Sequence, residues 1–139
     1  MIMKPQPFIY CIAILVVLFT ACKKTDNIRD EDIKGKWKLV EVKLSLTPTV
    51  PVSYDYSQYN VVYDFKSDAV LMVSKDANMD TAGYVHEHGE HYYTIINDED
   101  GYYVLKIDDY AYWYSVSSDE LILDDSPVDG AKYYFVKLK

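Results

Sequence analysis

From residue 35 onward the chain carries no apolar stripe at the helical period. Short runs rich in Val, Ile, Tyr and Phe recur instead, with turn residues between them. Runs at 37–46, 61–65, 69–74, 92–96, 102–107, 110–116, 121–123 and 131–138 read as short strands. The clearest has Val61, Tyr63 and Phe65 alternating with Asn60, Val62, Asp64 and Lys66, the pattern of a half-buried strand. In the first run the apolar set changes faces between Leu39 and Val40, which predicts a bulge. Most connections are of hairpin length, such as the polar stretch 97–101. The segment 47–59, with Pro48, Pro51 and three tyrosines, reads as a long loop. Sequential antiparallel strands form a meander, and closing it removes both exposed edges. The expected fold is all-β, an antiparallel up-and-down meander of about eight strands closed into a barrel.

Charge narrows the function. Fourteen Lys and Arg stand against 22 Asp and Glu, a formal net charge of −8. A chain so acidic lacks the cationic face that phosphate backbones require, so nucleic acid is excluded as a partner. Half of the residues are hydrophobic, enough to bury a core. No Gly-x-Ser-x-Gly, phosphate loop, Cys-x-x-Cys or His-Glu-x-x-His is present. A non-catalytic protein without a cofactor is the expectation.

The first residues carry an address rather than a fold. After Lys4, an apolar run of twelve residues extends from Phe8 to Phe19. That suits the core of a signal peptide and falls short of the ~20 residues a spanning helix needs. Ala21 directly before Cys22, followed by Lys23 and Lys24, resembles a bacterial lipoprotein signal. The resemblance implies cleavage before Cys22 and acylation of that cysteine, with the membrane as a partner through its lipid. The expected location is the bacterial cell envelope, at the outer membrane. Cys11 would leave with the signal, so no disulfide is expected. The organisation that follows is a signal peptide at 1–21, a flexible polar tether at 22–33 and a barrel domain at 34–139.

Gly35-Lys36-Trp37-Lys38-Leu39-Val40 resembles the opening strand of the lipocalin family, whose Gly-x-Trp places an indole across the barrel floor. An acylated cysteine, a polar tether, Gly-x-Trp, a meander and an aromatic last strand also resemble small bacterial lipocalin-like lipoproteins. Asp108-Asp109-Tyr110 is faintly similar to the Thr-Asp-Tyr of full-size lipocalins. The resemblance implies a buried Trp37 beside Gly35, with Lys137 of the last strand placed to cover the ring. It also implies a binder of a small apolar or amphipathic ligand.

All three histidines lie in His86-Glu87-His88-Gly89-Glu90-His91. Residues two apart on a strand share a face, so His86 and His88 form a metal pincer with His91 nearby. The competing reading is a solvated hairpin that titrates between about pH 5 and 8. Asp76, Asn78, Asp80 and Glu87 match calcium-loop spacing, but Thr81 stands where glycine makes the required turn. Fifteen tyrosines are the compositional oddity. Doublets at 92–93, 102–103 and 133–134 put one ring on each strand face. Inner rings can line a cavity, and outer ones can stack on sugars or a protein partner. Tyr54, Tyr56 and Tyr59 are the expected lid over a ligand entrance opposite Trp37. The alternative function is a surface interaction module with a filled barrel, directed at a glycan or an envelope protein.

Overall fold

The computed structural model describes residues 30–44, 52–77, 79, 85–97, 102–126 and 130–139. One helical turn, α1 (Asp30–Ile33), precedes the strands β1 (Gly35–Leu44), β2 (Val52–Asp55), β3 (Val62–Phe65), β4 (Val70–Ser74) and β5 (Gly89–Asn97). Then follow β6 (Tyr103–Ile107), β7 (Tyr110–Val116), β8 (Glu120–Asp124) and β9 (Ala131–Lys137). From β3 to β9 each strand pairs antiparallel with the next, and β1 pairs with both β3 and β9. Eight antiparallel strands therefore close into a barrel, as the alternation in the sequence predicts.

The ninth strand, β2, corrects one expectation. Val52–Asp55 is not loop: it pairs with the second half of β1, from Glu41↔Asp55 to Leu44↔Val52. β3 pairs with the first half, from Gly35↔Phe65 to Lys38↔Val62. One edge of β1 is thus shared by two partners in series. On its other edge the register with β9 shifts between Leu39 and Glu41, the predicted bulge. Inward residues on both sides of the shift, Trp37, Leu39, Val42 and Leu44, therefore all stay buried.

Inward positions of every barrel strand meet in one core. Aromatic rings fill much of it: Tyr63 lies 4.9 Å from Phe135, Phe65 5.1 Å from Tyr93, and Tyr112 5.8 Å from Tyr133. The tyrosine doublets divide as their spacing requires. Tyr93 and Tyr133 are buried, while Tyr92 and Tyr102 are exposed.

The two ends of the barrel differ. Trp37 is fully buried near the start of β1, with Lys137 Nζ 4.7 Å from the ring centroid. Gly35 sits beside them at φ +110°, a backbone that side chains with a Cβ avoid. Beneath the indole lies Ile33, also fully buried. That residue falls in the segment expected as polar tether, so the barrel takes in its last helical turn. The opposite end carries the start of β5 and the β6–β7 turn.

Candidate functional site

At that opposite end, the β6–β7 turn is closed by Asp108, which holds φ +50°. Aspartate tolerates this left-handed region better than most residues. The turn is clamped to β5 from both sides. Asp108 N–H donates to the Tyr92 carbonyl at 2.9 Å, and Tyr92 N–H donates to Asp108 Oδ1 at 3.0 Å. The second carboxylate oxygen, Oδ2, lies 2.6 Å from His91 Nδ1. His91 Nε2 meets the Glu87 carbonyl at 2.8 Å. Burial pulls the His91 pKa down, but the Asp108 and Glu87 acceptors outweigh it and leave it raised.

His86 arrives from the segment before β5. Its backbone N–H donates to the Tyr63 hydroxyl at 3.1 Å, and its Nε2 lies 3.0 Å from the Tyr112 hydroxyl. The ring sits edge-on to His91, Tyr110 and Tyr112, with centroids 5.3, 5.4 and 5.9 Å away. Burial, and then the neighbouring His91 charge, push its pKa down to about 4, so this imidazole is neutral at neutral pH.

Of the three histidines, His86 and His91 come together and His88 does not. One ring nitrogen each of His86 and His91 and a carboxylate oxygen of Asp108 lie within 4.8 Å of one another. His88 is exposed and outside that group. The physical reason is the strand itself: His91 faces inward on β5, whereas His88 precedes the strand. Two positions of the calcium-loop spacing are engaged by other partners. Asp76 accepts from Asn60 through both carboxylate oxygens, and Glu87 pairs with Lys75 at 2.9 Å. Asn78 and Asp80 lie outside the described residues.

A second feature lies on the outer wall. Cross-strand neighbours Val104↔Trp113 and Trp113↔Asp124 form a row across β6, β7 and β8. Trp113 is 47% exposed, and Tyr102 stacks beside it at 5.9 Å with planes 24° apart. A cleft of about 440 Å³ opens here, lined by Val104, Tyr110, Tyr112, Trp113, Asp124 and Asp125 among others. A smaller cleft of about 220 Å³ is lined by Trp113, Tyr114, Ile122, Asp124 and Lys132, among others. Trp113 and Asp124 belong to both. Asp124 is fixed by Lys132 Nζ at 2.7 Å and by the Ser126 hydroxyl, which donates at 2.5 Å. Burial would raise its pKa, but these partners win and hold it below the usual carboxylate value. Asp125 goes the other way, raised by burial and by the Asp124 charge. Gly130 allows the close return to β9, since a Cβ there would stand 2.3 Å from the Asp125 carbonyl oxygen.

The three lid tyrosines part company. Tyr54 is exposed on β2. Tyr56 is buried in the core, anchored by its N–H to the Val40 carbonyl at 2.8 Å. Tyr59 packs 6.1 Å from the Tyr56 ring. Cys22 lies outside the described residues, as do 1–21 and 23–29. Trp113, and the pairing of Asp108 with His91, are what sequence reasoning missed, because strand register alone brings these residues to their partners.

What the fold and the two sites define is a closed antiparallel β-barrel with a plugged floor, a polar rim and an aromatic outer groove. No protein-family model matches the chain, and no curated protein and no solved structure gives a significant match.

Proposed function

We propose that this chain is a non-catalytic, lipocalin-like binding lipoprotein of the bacterial envelope, anchored through acylated Cys22, that holds a glycan against its outer barrel wall. The observation that carries this reading is the pair of clefts sharing Trp113 and Asp124. Sugar rings present an apolar C–H face and an equatorial rim of hydroxyls. An exposed indole accepts the first, and the Asp124 and Asp125 carboxyls accept hydrogen bonds from the second. Two clefts in series suit a chain of at least two rings. With a net charge of −8, the protein selects against acidic glycans.

An apolar ligand inside the barrel, the other reading of the lipocalin resemblance, has less support. Rings of Tyr63, Phe65, Tyr93, Tyr112, Tyr133 and Phe135 already pack there.

The test is calorimetry of neutral oligosaccharides against the detergent-solubilised full chain and its Trp113→Ala variant. Losing a central aromatic anchor should weaken binding by at least ~10-fold. Equal affinity in the variant would sink the glycan proposal. So would an apolar molecule that co-purifies in stoichiometric amount with both proteins, which would restore the lumen reading.

A further inference from the structure

We propose that His86, His91 and Asp108 form a binding site for a divalent cation of the zinc type, held by one nitrogen of each imidazole and one oxygen of the carboxylate. The three ligands come from three places: the segment before β5, β5 itself and the β6–β7 turn. Zinc sites draw on separate elements in this way, and two imidazoles with one carboxylate suit zinc better than calcium or magnesium.

The atoms around the ligands support the assignment. His91 Nε2 is held by the Glu87 carbonyl and His86 Nε2 by the Tyr112 hydroxyl. Oxygen partners on the far nitrogen orient a metal-binding imidazole and select its ligand nitrogen, here Nδ1 of His91. Asp108 is oriented too, since its other oxygen accepts from Tyr92 N–H. The His91 Nδ1 to Asp108 Oδ2 gap is 2.6 Å, the length of a proton-bridged pair. Ligand atoms around tetrahedral zinc stand roughly 3.3 Å apart, given bonds of about 2.0–2.1 Å. Binding therefore opens the His91–Asp108 gap and draws His86 inward, from a set now spanning up to 4.8 Å. Lys75 keeps the Glu87 carboxylate away from the group. Three protein ligands leave the fourth position to water or to a donor from a bound molecule.

This inference stands apart from the glycan reading, because neither Trp113 nor Asp124 is a ligand. The experiment is zinc titration of the detergent-solubilised full chain, read by calorimetry and by the imidazole C–H proton resonances. The chain has three histidines, so each resonance can be followed. One zinc per chain is expected, shifting His86 and His91 and leaving His88 in place. Asp108→Asn and His91→Gln should each weaken zinc by at least ~10-fold, whereas His88→Gln should bind as wild type does. Asparagine also accepts the left-handed backbone at 108, so that variant keeps its turn. No zinc uptake by the wild type, shifts at His88 equal to those at His86, or unchanged affinity in Asp108→Asn would overturn the site. The resonance readout needs no variant, so the result does not hang on any substitution folding.

Discussion

The indole N–H of Trp37 donates to the backbone carbonyl of Ile33 at 2.6 Å, inside the fully buried floor of the barrel. This bond ties the helical turn ahead of the barrel to the first barrel strand. It also gives a buried carbonyl a hydrogen-bond partner. Above it, Lys137 lays its ammonium over the ring face, so the indole is engaged at its edge and on its face.

Two substitutions separate those contributions. Trp37→Ala should cost about 3–5 kcal/mol, from lost burial and the cavity left behind. Trp37→Phe keeps most of the volume and removes the donor to the buried Ile33 carbonyl, which should cost about 1–3 kcal/mol. Urea denaturation of both variants checks this. Equal and small losses would mean that the floor is not held by this residue.

Asp124 and Lys132 give a pH signature in two windows. The Asp124 pKa in the folded chain lies below its ordinary 3.8, so the pair's contribution is complete above that value and fades as pH falls through the folded one. The Lys132 pKa lies above its ordinary 10.5, so the contribution also fades as pH rises through that folded value. Both side chains are partly exposed. Lys132→Met should therefore cost only about 0.5 kcal/mol near neutral pH. Thermal melts across pH should show the two proteins converging at both extremes. A constant offset at every pH would assign the loss to packing instead.

The proposed membrane anchor is Cys22. Cys22→Ser should move the protein from the membrane fraction to the soluble one, and its mass should lack the acyl groups carried by wild type. Retention in the membrane at unchanged mass would count against lipidation.

Much of the barrel was legible because eight strands bury one face each, and burial writes alternation into the sequence. β2 was not, since all four of its residues are exposed and it pairs with β1 without burying a face of its own. Ile33 went unread for a related reason: one apolar residue among charged neighbours carries no period. At the rim, adjacency in the sequence favoured His88, whereas the register that sets Tyr93 opposite Ile107 delivers Asp108 to His91 instead. Likewise, the tyrosine count announced outward rings. Which of them gather around Trp113 depends on the alignment of three strands.

Trp37 sits opposite Tyr63 on one edge and opposite Lys137 on the other. From β3 onward every strand finds its first partner one connection away, so assembly can proceed like a zip, hairpin by hairpin. The seam between β1 and β9 is different. It joins the beginning of the domain to its end and bears the largest loop-closure entropy of any pairing in the barrel. During synthesis the free side of β1 must wait until β9 emerges, and for that interval the molecule is an open sheet with two adhesive margins. Damage to the last strand would therefore weaken more than the residues it changes, because it would leave β1 without its second neighbour.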